Sequence, residues 1–340
     1  MDASDPIISV IIPAYNSEKF IETLINDLKN QVFTKFEVII VDDGSTDETL
    51  SRALVLTADD PRFCVVSQSN KGQARARLFG LCKAQAEFVT FLDADDKIGP
   101  QHLERLHDTQ LKFDADLVMC NFYIVHQHSG HRRVRYPKGS EQESEIVPIS
   151  TFLTKWISGD IDGYLVNKLF RRELFRQQLR IDNNNYMEDV RLVDQLIPVI
   201  RSVAYSAEPT YYYQIRENSA TTRPTDGVKW NGLRYSIDSL MALVENQNHL
   251  ELLQMRLVKT VIHLLVNTKG LSSGEVMEEM EKFGVFELLD GVTVYNRLNY
   301  LDRGVTRALQ HHIIPHNIIQ LRELMIKLRN ILRSSRRENL

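Results

Sequence analysis

Over the first hundred residues, four apolar runs alternate with segments of helical pattern, and this alternation leaves the chain few folds to adopt. Ile8-Ser9-Val10-Ile11-Ile12, Phe36–Val41, Phe63–Ser67 and Phe88–Leu92 read as buried strands. Residues 17–30 place Phe20, Ile21, Leu24, Ile25 and Leu28 at helical spacing. Ser45-Thr46-Asp47-Glu48 offers N-cap residues for a helix to about Thr57, and residues 72–85 read as a third helix. Such alternation predicts an α/β fold with a mostly parallel sheet covered on both faces. Ligands of such sheets bind outside the carboxyl ends of the strands. Three distant segments are thereby gathered on one edge: Pro13-Ala14-Tyr15-Asn16, Asp42-Asp43-Gly44-Ser45 and Asp93-Ala94-Asp95-Asp96.

Beyond residue 100 the alternation weakens. His102–Lys112 reads as a helix and Asp116–Val125 as a strand; residues 126–146 read as an exposed loop or hairpin. Residues 149–178 are expected to be mainly helical, Met187–Ile197 forms a helix closed by Pro198, and Val203–Tyr213 is strand-like. Arg223-Pro224-Thr225-Asp226-Gly227 reads as a linker, and from Lys229 onward the pattern is almost wholly helical. The expected organisation is residues 1–222, split into halves at 100, followed by a helical region over 223–340.

The net charge of −4 on 340 residues carries no nucleic-acid signature. Cys64, Cys82 and Cys120 are widely spaced among apolar neighbours and read as buried free thiols of a reducing cytoplasm. No apolar run approaches the roughly 20 residues that span a bilayer, and Ile7–Ile12 is too short for a signal peptide. The expected location is cytoplasmic. Leu321, Leu324, Met325, Leu328, Ile331 and Leu332 recur at helical spacing amid Arg322, Lys327, Arg329, Arg333, Arg336 and Arg337. That basic amphipathic segment suits packing or oligomerisation, and equally a peripheral contact with an anionic membrane.

The chemistry is concentrated where strands end. Three carboxylates within four residues after Phe88–Leu92 require a compensating cation, and Asp-X-Asp places two hard oxygen ligands together, suiting Mg²⁺ or Mn²⁺ with a phosphate-bearing ligand. An acidic turn capping the next helix would show the same residues, and Asp96 fits that role. An Asp in Asp42-Asp43-Gly44-Ser45 can accept from a base N–H or a ribose hydroxyl, or merely build a turn. Asn70-Lys71-Gly72 with Arg75 and Arg77 can neutralise a phosphate or simply start an exposed helix. Glu188-Asp189 at a helix start complements the macrodipole; the sharper alternative is a general base. His126, His128 and His131 lie in a polar segment without a nearby carboxylate and read as solvated. Trp156 lines a cleft or packs a helix, and at least one of Tyr211-Tyr212-Tyr213 belongs to the core. A GxGxxG phosphate loop is absent from the first strand–helix connection, which disfavours dinucleotide chemistry.

Taken in order, these segments closely resemble the family 2 inverting glycosyltransferases of GT-A fold. The resemblance rests on Ser9–Asn16, Val41–Asp47, Asn70-Lys71-Gly72 with Arg77, Phe91–Asp96, Asn167-Lys168-Leu169-Phe170, Glu188-Asp189 and Tyr211–Arg216 with Ser219. It covers roughly residues 7–222 and departs from the common pattern at Leu78, where an Asn often follows the Arg. It implies a nucleotide-diphospho-sugar transferase fold, a Rossmann-like sheet flanked by helices, with a C-terminal helical extension. It further implies that Pro13, Tyr15, Asn16 and Asp43 embrace base and ribose, with Asn70 and Arg77 along the nucleotide pocket. Asp93 with Ala94 would meet the donor, Asp95 would be the direct ligand of Mn²⁺ or Mg²⁺ with Asp93 beside it, and Asp189 would be the base supported by Glu188. Arg216 and Ser219 would close over the diphosphate. The implied activity is hexosyl or N-acetylhexosaminyl transfer, from UDP by family base rate, to a glycan, lipid-linked or protein-linked acceptor in surface polysaccharide or glycoconjugate synthesis. A non-catalytic nucleotide-sugar sensor is the alternative.

Overall fold

The computed structural model describes residues 5–126, 132–135, 143–181, 186–215, 224–268, 272–298 and 300–311. The chain divides into two compact units, Met1–Thr222 and Arg223–Leu340.

The first unit begins with β1 (Ile8–Ala14), α1 (Ile21–Lys29), β2 (Phe36–Asp42), α2 (Thr49–Thr57), β3 (Phe63–Ser67), α3 (Gln73–Leu81) and β4 (Phe88–Phe91). Every residue of β1 is buried, because it pairs in parallel with both β2 and β4 and is covered on both faces. Each fully buried aliphatic side chain there contributes roughly 1.5–3 kcal/mol relative to exposure. Ile8, Val10 and Ile12 share a core with Ile21, Leu24, Ile25 and Leu28 of α1. On the opposite face α3 comes so close that a Cβ on Gly80 would lie 2.5 Å from Ile11 Cγ2. The third helix is shorter than the 72–85 expected.

Then follow β5 (Lys97–Ile98), α4 (His102–Phe113), β6 (Leu117–His126), β7 (Arg132–Arg135), β8 (Glu145–Val147), α5 (Ile149–Ser158), β9 (Lys168–Arg171), α6 (Glu188–Leu196) and β10 (Val203–Ile215). One sheet results, in the order β3-β2-β1-β4-β9-β6-β10-β5, with β7 on β6 and β8 on β10. The β3-to-β4 side is wholly parallel; the rest is mixed, since β9 runs antiparallel to β4 and β6. Two reversals restore direction, so β6 and β10 end on the same sheet edge as β1, β2 and β4.

Residues 149–178 depart from the helical expectation. Gly159 in the left-handed region (φ 76°) ends α5, and Lys168–Arg171 is a strand. A four-residue run with two buried apolar residues is too short for periodicity to separate helix from strand; pairing on both sides decides it. A second correction concerns the thiols: Cys120 is buried, but Cys64 on edge strand β3 and Cys82 are exposed.

The second unit contains α7 (Gly227–Met241), α8 (Gln247–Val266), α9 (Ser273–Lys282), α10 (Val285–Asp290) and α11 (Tyr300–Gln310). Local signals start its helices. Asp226 and Asn246 side chains accept from the backbone N–H of Lys229 and His249, and Ser272 with Glu275 completes a capping box. Trp230, Leu233, Ile237, Leu257, Val261, Met280 and Leu289 are buried within it. Among the described residues no helix is long and apolar enough to cross a membrane. The basic amphipathic segment at 321–332 lies outside the described residues.

Candidate active site

The ends of β1 and β2 are stitched together by a hydrogen bond from the Asp43 N–H to the Ala14 carbonyl (2.8 Å). Pro13 is buried as part of β1, whereas Tyr15 just beyond it is 49% exposed at the edge. Asn16 adopts φ 49°, a left-handed conformation that Asn tolerates better than most residues. Its Oδ1 accepts from the Thr46 N–H (2.9 Å) and its own N–H donates to Ser45 Oγ (3.0 Å), tying the loops after β1 and β2 together. Asp43 is buried. Its Oδ1 accepts from Gln68 Nε2 (2.7 Å) and the Lys71 N–H (2.9 Å), and its Oδ2 from the Gly72 N–H (2.8 Å). Asp43 thus anchors the loop that presents exposed Asn70, while a carboxylate retains lone pairs for a further donor. Gly44 is required at φ +71°: a Cβ there would meet the Asn70 nitrogen at 2.7 Å.

The acidic floor follows β4. Ligand oxygens of Asp93, Asp95 and Asp96 all lie within 4.8 Å of one another. The three have different employment. Asp96 is buried; it accepts from Tyr211 Oη (2.5 Å) and the Gln214 N–H (2.7 Å), which lash the end of β10 to this loop. Burial, together with the neighbouring Asp93 carboxylate, holds Asp96 well above the usual carboxylate range. Its role is therefore a clamp between two strand ends, larger than a turn cap. Asp93 and Asp95 offer a hard oxygen pair, a donor set that fits Mg²⁺ or Mn²⁺.

Arg77 lies beneath this floor, 1% exposed. Its Nη2 donates to Asp93 Oδ1 (2.9 Å), and its Nη1 donates to Glu188 Oε1 (3.0 Å) and Asp189 Oδ1 (2.5 Å). Residues from α3, the β4 loop and the start of α6 thus meet at one guanidinium. Burial by itself would depress Arg77; the Asp189, Asp93 and Glu188 carboxylates outweigh it and drive the group up, so it stays charged. Burial and then the adjacent Asp189 carboxylate push Glu188 up to about 8. Burial raises Asp93 as well, against the pull of Arg77. A divalent metal at Asp93 and Asp95 would add positive charge beside these carboxylates.

The start of α6 is braced from behind. Lys168 is fully buried; its Nζ donates to the carbonyls of Asp162 (3.0 Å) and Tyr164 (2.5 Å) and to Asn167 Oδ1 (2.9 Å), and burial brings its pKa down to about 8. The segment it fastens includes Gly163, where a Cβ would come within 2.3 Å of Val190 Cγ2. Trp156 is buried and donates its Nε1–H to Asp194 Oδ1 (2.6 Å), so it packs under α6. Tyr211 is core, and Tyr212 stacks on Tyr123 with ring centroids 5.0 Å apart. His126 ends β6. Arg216, Ser219, His128 and His131 lie outside the described residues.

Sequence reasoning missed Gln68 and Gln73. Gln73 Nε2 donates to Asp93 Oδ1 (2.8 Å). Its position four residues before Arg77 on one helix was a usable signal, since residues i and i+4 share a face.

Comparison with known proteins places this arrangement. The chain is 28% identical over 291 residues to EpsH of Bacillus subtilis, whose glycosyltransferase name is provisional, covering 82% of this chain and 83% of that one. Among solved structures it superposes with TM-score 0.70 on S. aureus TarS 1-349 in complex with UDP-GlcNAc (20% identity, 95% of this chain and 92% of that one). It superposes with TM-score 0.54 on the Pyrobaculum calidifontis mannosyltransferase PcManGT in complex with GDP-Man and Mn²⁺ (13% identity, 96% and 88%). These likenesses identify the fold as GT-A. The model described as glycosyl transferase family 2 matches residues 9–179, half of the chain, and so takes in the loops of Asn16, Asp43 and Asn70 and the acidic floor at Asp93. From that match and the relatives, the chain belongs to glycosyl transferase family 2.

Proposed function

We propose that this chain moves a hexosyl or N-acetylhexosaminyl group from a UDP-linked donor to an acceptor hydroxyl in one displacement, with inversion at the anomeric carbon. The observation that carries the reading is the convergence of Asp93 and Asp189 on Arg77 at the carboxyl edge of the sheet. Donor-side and acceptor-side carboxylates must lie this close if the sugar is to pass between them.

In this reading Pro13, Tyr15, Asn16, Asp43 and Asn70 border the base and ribose, and Asp93 with Ala94 meets the donor, Asp93 at the ribose or the metal. Asp189 takes the proton from the acceptor hydroxyl as its oxygen bonds to the anomeric carbon, and the diphosphate oxygen departs with the electrons of the broken bond. Glu188, pushed up by burial and by the neighbouring Asp189 carboxylate, supports Asp189. Asp95 and Asp93 would hold Mn²⁺ or Mg²⁺, which when bound supplies positive charge against the departing diphosphate. Arg216 and Ser219 are assigned to closure over that diphosphate. Residues 1–100 serve the donor, 101–222 the acceptor, and 223–340 form a helical extension that contacts a second subunit or a membrane surface. The acceptor is a glycan, free or lipid- or protein-linked, of a surface polysaccharide or glycoconjugate. UDP is supported by the nucleotide bound to TarS, and the metal by the Mn²⁺ bound to PcManGT.

A panel of nucleotide sugars with Mn²⁺, scored by thermal shift and by released nucleotide, tests this. Stabilisation and slow hydrolysis confined to UDP-sugars are expected. Binding of UDP-sugars without turnover under any acceptor condition would favour a sensor, and no nucleotide binding at all would overturn the reading.

A further inference from the structure

The transfer reading leaves Arg77 with no part in the chemistry; resemblance sets it along the nucleotide pocket, and the structure gives it partners from two distant segments. Its two terminal nitrogens are both engaged by protein carboxylates: Nη2 by Asp93 on the donor side, Nη1 by Glu188 and Asp189 on the acceptor side. The side chain is 1% exposed, so its guanidinium is held almost wholly among protein groups. Desolvating an arginine is costly, and the fork geometry that binds two carboxylate groups at once is the property a lysine cannot reproduce.

We propose that Arg77 is a positioning residue. It fixes the orientation of the Asp189 carboxylate and sets its distance from Asp93, so that the base faces the acceptor hydroxyl while Asp93 faces the donor. Three features support this. Asp189 sits in the first turn of α6, and the residue before that helix, Met187, lies in the left-handed region at φ 59°. The backbone entering the helix is thus strained, and the ion pairs to Arg77 are contacts that can hold its first turn in place. Gln73 donates to the same Asp93 oxygen as Arg77, so the donor-side end of the bridge has a second support. The acceptor-side end is braced by Lys168 through the segment that packs on Val190. The guanidinium joins the two braced carboxylates, Asp93 and Asp189, directly.

Since this rests on the transfer reading, the test separates the two. Arg77→Lys keeps the charge but not the fork; Arg77→Ala opens a guanidinium-sized space. Turnover is measured as UDP release from whichever UDP-sugar the wild type uses, with and without guanidinium ion at tens of millimolar, and UDP affinity is measured by calorimetry in chelator. Misplacement of a catalytic group by about 1 Å can cost roughly 100-fold in rate. Arg77→Lys is therefore expected to lower kcat by about 10- to 100-fold, with donor KM and metal-free UDP affinity within about threefold of wild type. Arg77→Ala is expected to regain at least about tenfold of its lost activity with guanidinium and none with urea. Wild-type kcat in Arg77→Lys, or loss of metal-free UDP binding in that variant, overturns the proposal. Should Arg77→Ala not fold, the lysine variant alone decides. A wild type that turns over no donor refutes the transfer reading instead.

Discussion

Glu188→Gln should make the folded protein more stable at alkaline pH and leave it unchanged at acid pH. Glu188 is held at about 8 against an ordinary value of 4.5, by burial first and then by the Asp189 carboxylate. Between those two values the folded state retains a proton that the unfolded state has released. The wild type therefore loses stability as pH rises through that window. The gap sets a ceiling of about 5 kcal/mol, at about 1.4 kcal/mol per pH unit. The side chain keeps 13% exposure, and Glu188 shares its environment with Asp189 and Arg77, so the loss falls below that ceiling. Glutamine imitates the protonated acid: its Oε1 can accept from Arg77 Nη1 and its amide can donate to Asp189, yet it does not titrate. Urea unfolding of both proteins in chelator at pH 5, 6.5 and 8.5 measures this. The two midpoints should coincide near pH 5 and diverge in favour of Glu188→Gln by pH 8.5. Parallel stability–pH curves, or a variant destabilised at every pH, would refute the assignment of Glu188 as a buried acid protonated in the folded state.

Asp189→Asn removes the proposed base and should lower transfer by about 10²–10⁴-fold while UDP binding persists; retained transfer would strip Asp189 of that role. Asp95→Ala should abolish the increment that Mn²⁺ adds to nucleotide affinity while leaving affinity in chelator unchanged, as calorimetry with and without metal would report. Tyr211→Phe deletes a buried donor to Asp96 and should cost about 1–3 kcal/mol in urea unfolding. An unchanged unfolding midpoint would mean that the clamp between β10 and the acidic loop contributes nothing.

The parallel half of the fold was legible because each of its elements carries its own signal. Ile8–Ala14, Phe36–Asp42 and Phe63–Ser67 are apolar runs bounded by polar turns, and α1 repeats its buried residues at helical spacing. The strand at Lys168–Arg171 was not legible: its identity comes from being pinned between β4 and β6, neither of which is near it in sequence. Cys64 carries apolar neighbours yet is exposed, because β3 is an edge strand, and edge position is a property of the sheet order.

The candidate site divides the same way. Sequence alone sufficed to bring three loops to one sheet edge, since the handed, parallel connection of strand to helix to strand leaves them nowhere else to go. It also marked the carboxylates as candidates for the centre of the chemistry, because charge at the end of a buried strand demands a partner. Tertiary structure decided what each acid does. Asp96 became a clamp because Tyr211 arrives from β10, and Asp43 an anchor because Gly72 and Lys71 fold back onto it. Arg77 came to link the loop after β4 with the start of α6 because Asp93, Glu188 and Asp189 all lie within reach of its guanidinium. Those assignments depend on hydrogen bonds between segments far apart in the chain, and such bonds have no local signature; only the packed fold, by excluding water around them, determines which partners meet.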